Sequence, residues 1–115
     1  METILQRLMA IDGVTGALLV GKDGLVVASA MDGEDEEMVG AMAAAAYDAS
    51  GRYIEQLNMG DIRHAMFETT RGVVQVSDGG DLLLVVRSSR DANIGRVRIE
   101  LQQAGMRLSE QMGAY

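Results

Sequence analysis

Two short stretches of the sequence are apolar at every position, and they restrict the possible fold more than any other feature. They are residues 17–20 (ALLV) and 82–86 (LLLVV). A strand with one face in water alternates apolar and polar side chains, whereas a continuous apolar run indicates burial on both faces. We therefore predict two central strands of one antiparallel sheet, with helices packed over both of its faces.

The spacing of apolar residues and glycines divides the rest of the chain into further elements of a single domain, residues 1–115. We predict helices over 3–11, from the acidic run 32–37 to about 59, and over 93–111. Besides the runs at 16–20 and 82–86, strands are predicted at 25–30, 63–70 and 73–77, and Asp23-Gly24 is a strong hairpin signal. The fold class is therefore α+β, in the order α-β-β-α-β-β-β-α.

Composition and charge exclude several classes of function. The 115 residues include no cysteine, which excludes disulfides, thiolate metal sites and cysteine nucleophiles. The net charge is −7, and all of the excess lies in residues 1–60, which have three basic and ten acidic residues. Such a field repels nucleic acids and anionic membranes, and it suits a basic protein surface, although it also serves solubility alone.

The sequence contains no recognisable targeting or membrane signal. No apolar run approaches the ~18 residues of a membrane span. The N-terminal residues lack the basic and apolar regions of a signal peptide, and Glu2 stands where myristoylation requires glycine. We therefore expect a cytoplasmic protein.

Three chemical motifs are considered and set aside. Residues 16–22 (GALLVGK) resemble a phosphate-binding loop, but Asp23 replaces the magnesium-binding Ser or Thr, and the run is predicted as a strand. His64, the only histidine, has Glu68 on the same strand face with Met66 between them, so we expect an edge or interface histidine and no metal ligand. The acidic run 32–37 lacks the ligand spacing of a calcium loop and fits a helix start.

The third predicted strand and the long helix both indicate a surface for association. The strand has His64 and Glu68 beside apolar residues, which suits a sheet edge, and an unprotected edge pairs readily with a second chain. On the helix, we predict that a stripe covers the sheet. Apolar and small residues extend well past this stripe, so we also predict that a second surface packs on the helix. The stripe is Met38, Val39, Met42, Ala45, Ala46, Ala49, Tyr53 and Leu57.

Most of the nine methionines are expected to fill the core; an adaptable binding surface is the alternative.

Four strings in order along the chain resemble the Roadblock/dynein light chain family. They are residues 13–20 (GVTGALLV), 23–28 (DGLVVA), 82–86 (LLLVV) and 93–97 (NIGRV), and the similarity extends over essentially the whole chain. The resemblance implies a profilin- or longin-like fold: a five-stranded antiparallel sheet with the long helix on one face and the terminal helices on the other. It also implies homodimers or heterodimers in which the long helices pair and the third strands join the two sheets.

The functions of family members suggest what this chain does. Its members have no enzymatic activity of their own and bind small Ras-like GTPases or act as adaptors in larger complexes. Bacterial single-domain members resemble the regulator of the gliding-motility GTPase. For this chain the resemblance implies a non-enzymatic homodimer that binds a small Ras-like GTPase and modulates its nucleotide cycle, in the manner of a GTPase-activating protein. A structural adaptor without effect on a GTPase is the alternative.

The resemblance also suggests where the two interfaces lie. The dimer interface is expected at Ala43, Tyr47, Ile54, Ala65 and Phe67. The docking surface for the partner is expected on the outer side of the long helix, at Ala41, Ala44, Asp48, Arg52 and Glu55. No catalytic residue, cofactor, metal ion or small-molecule substrate is expected, and the four aromatic residues and the densely apolar core argue against a ligand pocket.

Overall fold

The structure, a computed structural model, describes residues 2–31 and 35–113. Its elements follow the predicted order, and their bounds differ from the predicted ones by a few residues. They are α1 (Glu2–Met9), β1 (Val14–Gly21), β2 (Val26–Ala30), α2 (Glu36–Gln56), β3 (His64–Thr69), β4 (Gly72–Asp78), β5 (Leu82–Ser88) and α3 (Ile94–Gly113). The predicted α+β class is confirmed.

The five strands form one antiparallel sheet in the order β2-β1-β5-β4-β3. The two apolar runs, β1 and β5, are neighbours inside this sheet, and β3 lies at one edge, as predicted. Ala17 to Val20 are completely buried, and so are Leu83, Leu84 and Val86. Burial on both faces of β1 and β5 thus explains why their sequences do not alternate.

The core has two halves, one on each face of the sheet. On one face α1 and α3 cover a large cluster that includes Leu5, Leu101, Leu19 and Leu84. On the other face α2 covers a smaller cluster built around Leu18, Val20, Leu83 and Val85. Neighbouring residues of β1 and β5 alternate between these halves, so each strand stabilises both layers of helices.

The long helix α2 begins at an acidic N-cap. The Asp35 carboxylate accepts a hydrogen bond from the Met38 backbone N–H at 3.2 Å, and Glu36 and Glu37 lie in the first turn. Residues 32–34, the rest of the acidic run, lie outside the described residues. The helix ends at Gln56, and Asn58 then adopts a left-handed conformation with φ 56°.

The side of α2 that covers the sheet is not the predicted one. The buried residues of this helix are Gly40 and Ala44, whereas Met42 and Tyr53 are 63% and 66% exposed. A Cβ at Gly40 would lie 2.6 Å from Cγ2 of Val26, so at this point the helix approaches the sheet too closely for a larger side chain. The predicted stripe therefore faces outward, except for Val39, which packs partly against the core.

The prediction that most methionines fill the core is also wrong for the described side chains. Met31 is buried and Met9 packs partly against the core. The exposed ones, 49% to 71% exposed, are Met38, Met42, Met59, Met66 and Met106. Among residues 2–31 and 35–113, no helix combines the length and the hydropathy that a membrane span requires.

Candidate functional site

The open edge of β3 is the first candidate surface for association. Its register on β4 runs without a shift from His64 to Thr69, and Met66 and Phe67 are 49% and 43% exposed. The opposite edge differs, because β2 contains an extra residue, Val27, between the partners of Leu19 and Val20. A bulge of this kind protects an edge from pairing with another chain. Of the two edges, β3 is the regular one.

The second candidate surface is the outward side of α2, which we call the apolar face. It consists of Met38, Met42, Ala46, Ala49 and Tyr53, all of them exposed. At 100° per residue these side chains lie on one side of the helix, and none of them is charged. Exposed apolar patches of this kind are typical of surfaces that bind another protein. It adjoins the face of the sheet on which Ala65 packs and Phe67 projects.

The other flank of α2 is polar and borders a groove beside the β1–β2 turn. The groove has a volume of about 950 Å³, and Asp23 and Leu25 of the turn line it together with Glu37, Ala41 and Asp48 of the helix. It continues along α2 past Arg52 and Glu55. We call this the polar groove. Most of the charged side chains along it are acidic, which suits a basic partner surface.

A hydrogen-bond network joins α2 to the far end of the sheet. The hydroxyl of Tyr47 lies 2.6 Å from the Asp78 carboxylate and 2.8 Å from the backbone carbonyl oxygen of Ile62. The Lys22 ammonium donates to the same Asp78 oxygen at 3.0 Å, and the Gly80 backbone N–H donates to the other at 2.8 Å. These bonds fix the helix against the β1–β2 turn and the end of β4.

Burial and these hydrogen bonds shift the pKa values of the Tyr47 hydroxyl and the Asp78 carboxyl group. Burial, reinforced by the neighbouring Asp78 carboxylate, raises the pKa of the Tyr47 hydroxyl far above its usual value. Burial alone would raise the pKa of Asp78, but the bonds from Tyr47, Gly80 and Lys22 outweigh it and lower that pKa. At neutral pH the Tyr47 phenol is therefore neutral and the Asp78 side chain is a carboxylate.

His64 lies at the edge of the sheet, where the sequence predicts it. Its Nε2 atom is 2.8 Å from Oε1 of Gln75, a fully buried residue, while Nδ1 is buried and has no hydrogen-bond partner within the described part of the chain. Burial lowers the pKa of His64, and the positive charge of Arg98 acts in the same direction. The histidine is therefore neutral at pH 7 in the isolated chain.

The other motifs that were set aside have structural explanations. The run 16–22 lies mainly in β1, and Lys22 pairs with Asp78, so it is a strand and turn rather than a phosphate cradle. In the ranges that the structure covers, no three histidine or carboxylate groups are placed to share a metal ion.

The predicted interface residues are distributed over three environments. Ala43, Tyr47 and Ala65 pack partly against the core beneath α2, while Phe67 is free at the edge. Ile54 is half-buried. Of the predicted docking residues, Ala44 is buried, and the other four are exposed along the polar groove. The sequence pattern did not predict a free apolar face on α2, although the absence of charged residues from that face was a signal for it.

Comparisons with known proteins agree with this architecture. A model described as the Roadblock/LC7 domain matches residues 1–88. The chain belongs to the Roadblock/LC7 family. It is also 37% identical over 108 residues to the uncharacterised protein MJ1340 of Methanocaldococcus jannaschii, covering 93% of this chain and 95% of that protein.

Solved structures show that the Roadblock fold extends over nearly the whole chain. MglB of Myxococcus xanthus superposes with a TM-score of 0.91 at 19% identity, over 98% of this chain and 94% of that chain. A Roadblock/LC7 domain from Streptomyces avermitilis gives a TM-score of 0.88 at 22% identity, over 97% of each chain. At such identities the likeness establishes the fold, and the surfaces of this Roadblock domain have to be argued from its own residues.

Proposed function

We propose that this Roadblock domain is a non-enzymatic homodimer that binds a small Ras-like GTPase and modulates its nucleotide cycle. The observation that carries the proposal is the division of α2 into two free sides with opposite properties. The apolar face suits a second copy of the chain, and the polar groove suits a partner protein. The family is generally non-catalytic, and the resemblance of the sequence to the gliding-motility GTPase regulator supports the choice of partner.

The dimer is argued from the apolar face and the β3 edge together. Both lie on the α2 side of the molecule, and Phe67 and Tyr53 are large, exposed and uncharged. Because Ala43 and Tyr47 already contact the protein's own core, we assign the helix contact to Met42, Ala46 and Tyr53. Ala65 and Phe67 remain in the proposed interface.

We assign the partner to the polar groove, which lies on a different side of α2 from the apolar face. Asp48 and Arg52 form an ion pair of 3.2 Å one turn apart, and both side chains are largely exposed. Such a pair adds little to stability, about 0.3–0.5 kcal/mol. Its charges are therefore available to a partner, and exchanging them alters the docking surface while the intrahelical pair persists.

The test begins with capture of a GTPase and ends with a hydrolysis assay. The tagged protein is used to isolate partners from host lysate in the presence of a GTP analogue or GDP. Any small GTPase recovered is purified, and its GTP hydrolysis is measured with and without this chain. We expect nucleotide-dependent binding and an altered turnover. Recovery of other proteins regardless of nucleotide, with no GTPase among them, would contradict the proposal and favour the adaptor function.

The charge-exchanged variant Asp48→Arg/Arg52→Asp tests the docking surface itself. We expect it to lose binding of the captured GTPase while light scattering still gives a dimer. Reversal of Glu110, a charge on α3 on the other face of the sheet, is the matched control and is expected to leave binding unchanged. If the exchanged variant binds as well as the parent chain, the GTPase docks elsewhere.

A further inference from the structure

The side chain of Gln75 determines which ring nitrogen of His64 carries the proton. Gln75 is fully buried on β4, and its Nε2 atom donates to the backbone carbonyl oxygen of Ile94, the first residue of α3, at 3.4 Å. A carbonyl oxygen only accepts, so the amide cannot be reversed. Oε1 of Gln75 therefore faces Nε2 of His64 at 2.8 Å, and Nε2 has to donate. The neutral imidazole accordingly has its proton on Nε2 and a free lone pair on Nδ1.

The Nδ1 atom of His64 is buried, and none of residues 2–31 and 35–113 forms a hydrogen bond with it. In the neutral ring this atom is an unpaired acceptor. On protonation it becomes an N–H donor that carries part of a positive charge. A buried donor without an acceptor costs its full desolvation energy, and a charged one costs more. The site therefore tolerates the neutral ring better than the cation.

Neither α3 nor β3 offers a carboxylate to balance a positive charge on His64. The charge that acts on the ring is that of Arg98 on α3, which has the same sign. Glu68 shares the face of β3 but lies four residues, about 13 Å, along the strand, with Met66 between. The other charged residues of α3 point away from Arg98 by about 120° or more around the helix: Arg96, Glu100, Arg107 and Glu110.

The charged groups of β4 and of the loop before β3 do not balance such a charge either. The carboxylate of Asp78 is on the α2 side of the sheet, where it accepts from Tyr47. The charge of Asp61 acts on the same Tyr47 hydroxyl. Arg63, directly before His64, is itself positive. A protonated His64 would thus be a cation beside other cations in a half-buried site.

A protonated His64 has two arrangements, and each costs stability. If the ring keeps its place, Nδ1–H stays buried without an acceptor beside the charge of Arg98. If the ring turns toward water at the sheet edge, Oε1 of the fully buried Gln75 loses its donor. Because Gln75 also bonds to Ile94, the loss affects the contact of β4 with the start of α3 as well as with β3.

We propose that His64 is a pH-sensitive switch: protonation of its ring breaks the connection from His64 through Gln75 to Ile94 and weakens the attachment of β3 and α3 to β4. The switch acts on the fold of the single chain, so it does not depend on the homodimer or the GTPase proposed above.

The pH range of the switch follows from the direction of the shift. Burial lowers the pKa of His64 from its usual value of 6.5. The unfolded chain therefore binds the proton first as pH falls. The stability that the neutral ring provides is complete above pH ~6.5 and is lost as pH falls from there through the folded value.

The experiment uses the fact that His64 is the only histidine of the chain. An NMR titration of its ring protons gives its pKa in the folded and the urea-unfolded chain. Urea unfolding at pH 7.0 and 5.0, at one protein concentration, is compared with His64→Gln, which keeps a donor for Gln75 but does not titrate. We expect a lower pKa in the folded chain. From pH 7.0 to 5.0, the unfolding constant of the parent should rise about fivefold or more relative to that of the variant.

A second pair of variants tests the charge next to the ring and leaves the His64–Gln75 contact in place. Arg98→Gln should raise the folded pKa of His64 and reduce the loss of stability in acid, because the like charge is removed. Arg96→Gln, an equally exposed arginine on another side of α3, is the matched control and should change neither.

Three results would overturn the switch. One is a folded pKa at or above that of the unfolded chain. Another is the same loss of stability in acid for the parent chain and His64→Gln. If His64→Gln does not fold, the arginine pair decides: equal pKa values and equal acid sensitivity of Arg98→Gln and Arg96→Gln would refute the charge environment on which the switch depends.

Discussion

Gly40 and Gly51 lie in the same helix, α2, but face different surroundings, and replacing each with alanine tests how closely the helix approaches the sheet. A Cβ at Gly40 would lie 2.6 Å from Cγ2 of Val26 and 3.6 Å from Cγ2 of Val20. A Cβ at Gly51 would meet no atom within 4 Å. Both substitutions improve helix propensity by the same amount. Any difference in stability between the two variants therefore measures how closely α2 packs on the sheet at Gly40.

The two expected free-energy changes follow from these distances. Alanine in a helix interior is favoured over glycine by about 0.8–1.0 kcal/mol, and Gly51→Ala should gain most of this. At Gly40 the stiff branched side chain of Val26 has to move, and overpacking of this kind costs about 1–3 kcal/mol. We therefore expect Gly40→Ala to be less stable than Gly51→Ala by about 1–3 kcal/mol.

Equilibrium unfolding in urea, at one protein concentration for all variants, measures this difference. The midpoint should rise for Gly51→Ala and fall or stay level for Gly40→Ala, with the slope unchanged. Keeping the concentration constant matters because dimer formation adds to apparent stability. If both variants gain the same stability, the close contact between α2 and β2 is absent, and the account of why small residues face the sheet is wrong.

Two further predictions concern the Tyr47 network and the apolar face. Tyr47→Phe should lower the free energy of unfolding by about 1–2 kcal/mol at pH 7, because the Asp78 carboxylate loses a hydrogen-bond donor. The lowered pKa of Asp78 stabilises the fold above its unfolded pKa of about 3.9, and this contribution is lost as pH falls through the lower folded value. The deficit of Tyr47→Phe in urea titrations should therefore shrink below pH ~4, and a constant deficit would show that the Asp78 charge is not involved. Met42→Glu/Tyr53→Glu should give a monomer by light scattering, whereas Met106→Glu, an equally exposed position on α3, should remain a dimer. Equal effects of the two would contradict the assignment of the apolar face.

Much of the fold follows from local patterns in the sequence. The runs at 17–20 and 82–86 identified the two central strands, because only a doubly buried strand has no polar side chain on either face. The polar and apolar mixture of residues 64–68 identified an edge strand, which the sheet order confirms. The acidic run 32–37 and Asp23-Gly24 indicated a helix start and a hairpin turn through chemistry that involves only nearby residues.

The candidate site was less predictable than the fold. Asp48, Arg52 and Glu55 are exposed on α2 as expected, because charged side chains face water in nearly any packing. Ala43 and Ala44 are different, because small apolar residues are compatible with the core, with an interface or with a solvent-facing helix surface. The sequence also could not show whether Tyr47 belongs to the core or to an interface, since its hydrogen-bond partner Asp78 lies 31 residues further along the chain.

The sequence by itself determined the order of the elements, the two central strands and the absence of cysteine chemistry. The tertiary structure alone decided which side of α2 meets the sheet. That helix has apolar side chains on two sides, so hydrophobicity favours either orientation about equally. The choice depends on the distance between helix and sheet, and the small residues Gly40 and Ala44 allow the close approach seen here. Met38, Met42 and Tyr53 consequently face outward, on the surface that we assign to a second copy.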